Sequence, residues 1–126
     1  VFTSPPYFAA EAYSEDASQS YKKFDNYAAW RDGFLRRTLE IAVEYLKRKR
    51  YLCWNIADVA LGGKMLPMES DTREILENLG MEYKGLYKMA LKATTATHKL
   101  KHSMPTTRNF CNVNGVFKKY EPVFVF

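Results

Sequence analysis

The stretch Ser4-Pro5-Pro6-Tyr7 combines hydrogen-bond acceptors with a flat aromatic ring, directly after an apolar chain start. Proline fixes φ and lacks an N–H group, so two in a row form a rigid turn whose carbonyls meet few competing donors. The Ser4 hydroxyl adds another acceptor. Two acceptors held in this way would match the two hydrogens of an amine, and stacking of a base on Tyr7 is worth ~1–3 kcal/mol. The stretch therefore predicts a site for an amine on a planar ring; the alternative is a turn that only ends a strand.

Apolar runs and helical stripes, separated by polar, glycine or proline positions, predict the elements that would hold this turn. The predicted order is a strand at 1–3, a loop at 9–25, a helix from 26, a strand at 51–59, a helix at 67–79, a strand at 81–91, a polar segment at 92–119 and a strand at 118–126. This alternation favours one α/β domain over residues 1–126, with parallel strands and a final antiparallel strand pair. Ligands of such sheets bind at the carboxyl ends of the strands, where Ser4 would lie.

The first helix is predicted from an apolar stripe and a basic end. The stripe consists of Trp30, Phe34, Ile41 and Tyr45, with Leu35, Ala42 and Leu46 alongside. The basic residues 47–50 would form the last turn, where positive charge is favourable because the exposed carbonyls carry partial negative charge. We prefer this interpretation of the basic residues to a DNA-contacting patch.

Other polar residues give weaker signals. Gly62-Gly63-Lys64 lacks the leading glycine and the following Ser or Thr of a phosphate-binding loop. His98 and His102 are four residues apart without a nearby carboxylate, so no metal site is predicted. Asp58, at the end of the predicted strand 51–59, would either face the same cleft as Ser4 or cap a loop.

The composition restricts the class of protein. The 126 residues carry a net charge of +5 with 47% apolar residues, which fits one folded domain and leans toward an anionic partner. Cys53 and Cys111 are too few for a disulfide framework, so we expect reduced thiols and an intracellular, cytoplasmic protein. No apolar run approaches the ~18 residues of a membrane span, and no signal peptide is evident.

The sequence around the turn resembles the DNA methyltransferases that modify exocyclic amines. Their catalytic motif has Asp, Asn or Ser, then Pro-Pro, then an aromatic residue, and this chain reads TSPPYF at 3–8. The resemblance continues through a polar loop, Tyr27 and Trp30 leading a helix, YLCWNIADV at 51–59 and EPVFVF at 121–126. It covers nearly the whole chain and corresponds to the second half of such a domain.

The resemblance implies part of a Rossmann-like methyltransferase sheet with flanking helices. It implies methyl transfer from S-adenosylmethionine to the exocyclic amine of a flipped DNA base, as in restriction–modification systems of bacteria or phages. Ser4 and the Pro5 carbonyl would orient the amine, Pro6 would stiffen the turn and Tyr7 would stack on the base, with Phe8 contacting the substrate. Serine at the first motif position favours cytosine over adenine.

The cofactor signature of this family, an F-x-G-x-G turn followed by an acidic residue that holds the ribose, is missing from the 126 residues. We therefore expect a partial catalytic domain that binds S-adenosylmethionine weakly or not at all. A missing segment or a second chain would complete the cofactor site.

A basic stretch is the predicted DNA-binding region. From 84 to 119 there is no Asp or Glu, and Thr, Ser and Asn side chains are interleaved with the basic ones. The residues expected to contact DNA are Lys92, Lys99, Lys101 and Arg108.

Three alternatives to a DNA methyltransferase stay open at this point. The chain could be a non-catalytic nucleic-acid-binding domain of the same fold, or a methyltransferase of RNA or protein glutamine. The latter enzymes usually carry Asn where this chain has Ser4. It could also be a structural fragment that completes its site with another chain.

Overall fold

The computed structural model describes residues 1–8, 22–91 and 110–126. In this part of the chain the strands are β1 (Phe2–Thr3), β2 (Cys53–Asn55), β3 (Val59–Leu61), β4 (Lys64–Leu66), β5 (Gly85–Ala90), β6 (Phe110–Val113) and β7 (Val116–Val125). The helices are α1 (Tyr27–Trp30), α2 (Arg36–Glu44) and α3 (Met68–Asn78), with a π-helical turn, Arg31–Leu35, between α1 and α2.

The main sheet has the strand order β1-β2-β7-β5 and mixes parallel and antiparallel pairs. Strand β1 runs parallel to β2, with Phe2 opposite Cys53 and Thr3 opposite Trp54. Strand β7 lies antiparallel to β2 on one side and to β5 on the other, so β2 and β5 are parallel to each other. The described residues form a mixed α/β structure, compatible with the predicted class, and the last strand pairs antiparallel as predicted. The prediction of parallel strands holds for one adjacent pair of the described strands, β1 and β2.

The core lies between one face of this sheet and the helices. Because side chains alternate along a strand, Trp54 and its partner Phe124 on β7 point to the same face, and both are buried. They belong to one hydrophobic cluster with Trp30, Leu39 and Leu76 from the helices. Each buried side chain of this size contributes roughly 1.5–3 kcal/mol. The helices therefore pack against β2 and β7 from one side.

The π-helical turn changes which side chains of the first helix reach this core. The helix begins as predicted, because the Asn26 side chain accepts a hydrogen bond from the Ala29 N–H at 3.0 Å. A π turn is wider than an α turn, so the positions beyond it are rotated. Leu35 and Leu39 are consequently buried, whereas Ile41 of the predicted stripe is exposed.

The end of α2 also differs from the prediction. The helix ends at Glu44, and its last turn contains no basic residue. Tyr45 follows as the cap and is exposed. The basic residues 47–50 lie beyond the helix in a turn where Lys49 has a φ of 59°, the left-handed region that lysine rarely adopts. The prediction that these residues form the last helical turn is wrong.

Two hairpins lie where the sequence predicted irregular structure. Gly62 and Gly63, with φ of 57° and 77°, connect β3 to β4. Asn114 and Gly115, with φ of 52° and 78°, connect β6 to β7. Both pairs suit a two-residue turn that needs positive φ twice. The predicted polar segment thus contains a strand at its end, and β7 begins earlier than 118.

Candidate functional site

The proline turn follows β1 at the carboxyl ends of two parallel strands. Thr3 pairs with Trp54, so Ser4 and Asn55 come directly after paired residues at the same edge of the sheet. Ser4 is exposed, whereas Pro5 is buried. The Ser4 hydroxyl can therefore meet a ligand from solvent, on a turn that is anchored by its first proline.

Tyr7 is half-buried and held by a buried amide. Its hydroxyl donates a hydrogen bond to Oδ1 of Asn55 at 3.2 Å. Nδ2 of Asn55 in turn donates to Oε2 of Glu121 on β7 at 3.3 Å. Asn55 is only 2% exposed, and a buried amide is costly unless both its donor and its acceptor are paired. The chain of bonds therefore fixes the Tyr7 ring relative to the turn.

Phe8 packs inward, away from this open edge. Its ring lies 5.9 Å from that of Tyr27 and 5.7 Å from that of Trp30, centroid to centroid, and only 7% of the residue is exposed. These offset aromatic contacts anchor the end of the motif to the start of α1. This burial does not fit the substrate contact predicted for Phe8, because the ring offers almost no surface to a ligand.

Tyr27 ties the same cluster to α3. Its hydroxyl donates to Oδ2 of Asp71 at 2.6 Å, and Asp71 lies in the first turn of that helix. Burial, and then the bond to the Asp71 carboxylate, raise the pKa of Tyr27 well above its usual value. Tyr27 is therefore a neutral donor that fixes α1 against α3 behind the motif.

Asp58 caps α3. Its Oδ1 accepts a hydrogen bond from the Glu69 N–H at 2.9 Å, while Oε1 of Glu69 accepts from the Asp58 N–H at 3.2 Å. Pro67, at the helix start, has no side-chain oxygen to cap the free N–H groups. The sequence left open whether Asp58 faces the same cleft as Ser4 or caps a loop. The structure shows that it caps the start of helix α3.

The four basic residues expected to contact DNA lie outside the described residues, as do His98 and His102. Those residues are Lys92, Lys99, Lys101 and Arg108. Of the basic residues in the same stretch that are described, Lys84 pairs with Glu82 and Lys88 lies 5.1 Å over the Tyr120 ring.

Within residues 1–8, 22–91 and 110–126, no group of three His, Cys, Asp or Glu residues is arranged to hold a metal ion. Likewise, none of the helices in these ranges has the length and apolar character needed to cross a membrane. Cys53 and Cys111 are free cysteines, and both are half-buried.

The structure adds two residues to the candidate site that the sequence prediction did not include, Asn55 and Glu121. The sequence offered one signal for Asn55, because an amide inside the apolar run CWNI must find buried partners. Glu121 gave none, since its partner lies 66 positions away.

Comparisons with protein-family models, with curated proteins and with solved structures found no match to this chain.

Proposed function

We propose that this chain is part of the catalytic domain of a DNA methyltransferase that modifies the exocyclic amine of a flipped base, with cytosine favoured over adenine. The observation that carries the proposal is the exposed Ser4 at the carboxyl edge of the parallel pair β1 and β2, beside a Tyr7 ring fixed by Asn55. An edge of this kind is where open α/β sheets bind ligands.

The sheet topology gives independent support. The resemblance of the TSPPYF segment implied half of a Rossmann-like sheet that ends in antiparallel strands. Strand β7 lies antiparallel between β2 and β5. Helices α1, α2 and α3 all contribute side chains to the hydrophobic cluster on one face of the sheet. A DNA partner fits the net charge of +5.

The residues of this chain would act by positioning. The amine of a nucleobase is a poor nucleophile because its lone pair is delocalised into the ring. Hydrogen bonds from the two amine hydrogens to the Ser4 hydroxyl and the Pro5 carbonyl would direct the lone pair out of the ring plane. Stacking on Tyr7 would hold the extruded ring in place.

S-adenosylmethionine would supply the methyl group, but the residues of this chain do not fit its binding site. The sequence has no F-x-G-x-G turn. None of the glycines in the described residues lies in a turn between a strand and a following helix, as such a site requires. In this proposal another segment or chain would hold the methyl donor.

The proposal is tested with the protein encoded by the complete reading frame that contains this chain. DNA is incubated with methyl-labelled S-adenosylmethionine, and its nucleosides are separated by mass spectrometry. We expect N4-methylcytosine, and we expect Ser4→Ala to lower its formation on the order of 100-fold, the loss typical of one well-placed polar group. Ser70→Ala, which removes the hydroxyl of an exposed serine on α3, should leave the rate unchanged. A methylation rate that is insensitive to Ser4→Ala would refute the proposed role.

A non-catalytic nucleic-acid-binding domain is the second candidate. It is favoured by the missing cofactor signature and by the inward packing of Phe8. Under this alternative Ser4→Ala spares DNA binding and the complete protein transfers no methyl group, so the same assay separates the two.

A further inference from the structure

Helix α2 ends at Glu44, before the four basic residues Lys47, Arg48, Lys49 and Arg50. Because they lie beyond the last turn, they cannot stabilise it as predicted, and their clustering needs another explanation. All four are exposed, and none forms an ion pair with another described residue. The chain also accepts an unfavourable left-handed conformation at Lys49 to make this turn.

Exposed aromatic rings flank these cations. Tyr45 is 78% exposed and Tyr51 is 60% exposed. Together with Lys47 and Arg50 they line an open hollow of about 380 Å³. Large aromatic side chains are usually at least half covered in folded proteins. Two exposed tyrosines beside Lys47 and Arg50, which have no ion-pair partner among the described residues, therefore mark an interaction surface.

Tyr51 also lines a second hollow. This hollow measures about 670 Å³, lies at the amino ends of β2 and β5, and includes Cys53, Leu86 and Tyr87, which is 71% exposed. We call the two hollows together the basic–aromatic surface. Asn55 lies four positions after Tyr51, about 13 Å along a strand, so this surface lies at the opposite end of β2 from the Ser4 edge.

We propose that the basic–aromatic surface binds the phosphodiester backbone of DNA, independently of the Ser4 edge. Cations without an internal partner gain free energy from releasing the counterions of the phosphates. Tyrosine hydroxyls contact phosphate oxygens, and tyrosine rings stack on unpaired bases whatever their identity. A second copy of the chain is disfavoured as the occupant, because it would bring the same uncompensated cations against these four.

Fluorescence anisotropy with labelled single-stranded and duplex oligonucleotides, over a series of salt concentrations, tests the proposal. The double variant Lys47→Gln/Arg50→Gln removes two cations of the surface. The matched control, Arg37→Gln/Arg73→Gln, removes two exposed cations from α2 and α3 that are paired with Glu40 and Glu77. We expect the first variant to weaken binding tenfold or more and to reduce the salt slope by about 1.5 to 2, since each phosphate contact contributes ~0.9.

Tyr51→Ala separates the two forms of DNA. If the ring stacks on bases, it should weaken single-strand binding roughly fivefold or more and duplex binding less. Tyr51→Phe retains the ring and should keep the single-strand binding that depends on stacking. The urea denaturation curve of Tyr51→Ala checks that its loss is not a folding defect.

Equal loss in both double variants would show only an effect of net charge and would overturn the proposal, as would unchanged binding in Lys47→Gln/Arg50→Gln. A dimer in light scattering that is lost in Tyr51→Ala would assign the surface to a second copy instead. The Ser4→Ala variant is measured by methyl transfer and the Lys47→Gln/Arg50→Gln variant by DNA binding, so the failure of the methyltransferase proposal and the failure of this one are distinguishable.

Discussion

The hydroxyl of Tyr7 donates a hydrogen bond at 3.2 Å to Oδ1 of Asn55, which lies 48 positions further along the chain. The bond joins the proline turn after β1 to the end of β2. The Asn55 amide also donates a hydrogen bond to Glu121 on β7. Hydrogen bonds therefore connect the turn after β1, the end of β2 and strand β7 behind the candidate site. A buried amide thus helps to orient the ring that is proposed to stack on a base.

Breaking this connection should destabilise the protein. We expect Tyr7→Phe to lower the free energy of unfolding by about 1 kcal/mol, and Asn55→Ala by about 2 kcal/mol or more, because Glu121 and Tyr7 then lose a partner in a buried region. A double-mutant cycle in urea should give a coupling of about 0.5–1.5 kcal/mol between them. The pair Tyr51→Phe and Asn55→Ala, without contact, should be additive. Additivity of both pairs would show that the bond makes no net contribution.

The rotation of the first helix by its π turn can be tested by two alanine substitutions. Leu39→Ala should cost about 2–5 kcal/mol, because it leaves a cavity in the core. Ile41→Ala should cost less than about 1 kcal/mol, because that residue is 43% exposed and its removal leaves no enclosed cavity. Chemical denaturation of both variants measures the difference. The reverse order would indicate an uninterrupted α-helix.

Removal of the Asp58 cap should loosen α3 at its start. Asp58→Ala should lower the free energy of unfolding by about 1 kcal/mol and speed the hydrogen exchange of the Glu69 N–H, which loses its acceptor. Asp58→Asn is the matched control, because it keeps an acceptor oxygen and should preserve the protection of that N–H. Unchanged exchange in Asp58→Ala would contradict the capping role.

Tyr27 should make stability depend on pH in the alkaline range. Burial and the bond to Asp71 raise its pKa in the folded state, so the folded state keeps the phenol proton that the unfolded chain loses above pH about 10. The stabilisation is therefore complete below pH about 10 and is lost as pH rises toward the pKa of the folded state.

Denaturation curves between pH 8 and about 11 measure this effect, and Tyr27→Phe is the reference because the lysines, the cysteines and the other tyrosines titrate in both proteins over this range. We expect the free energy of unfolding to fall more steeply for the native sequence than for Tyr27→Phe. Parallel pH profiles of the two proteins would mean that the phenol ionises equally in both states. Tyr45→Phe, which alters an exposed ring, is the control for the loss of one tyrosine.

Much of the fold was predictable because local patterns encode it. The position of Asn26 before an apolar stripe defined the start of the first helix, and the proline turn placed Ser4 after a strand. The run CWN carried enough apolar and aromatic character to identify a buried strand. The turn pairs Gly62-Gly63 and Asn114-Gly115 also carry a local signal, since these residue types tolerate the positive φ that a two-residue hairpin turn requires.

Other features could not be predicted because they depend on residues far apart in the chain. The hydrogen-bond partners of Tyr7, Asn55 and Asp58 come from other elements, and no sequence period announces them. The π turn likewise has no clear local signature, although it decides that Leu39 rather than Ile41 enters the core.

The sequence by itself determined a proline-stiffened turn after a strand, an α/β order of elements and a basic chain with few acidic partners near its end. Only the tertiary structure decided that Phe8 is buried while Ser4 is open, that Asp58 caps α3, and that the basic residues 47–50 stand beside exposed tyrosines beyond the helix. The reason is physical. Backbone preferences act over a few neighbouring residues, whereas burial and hydrogen-bond partners are set by the packing of segments that are distant in sequence.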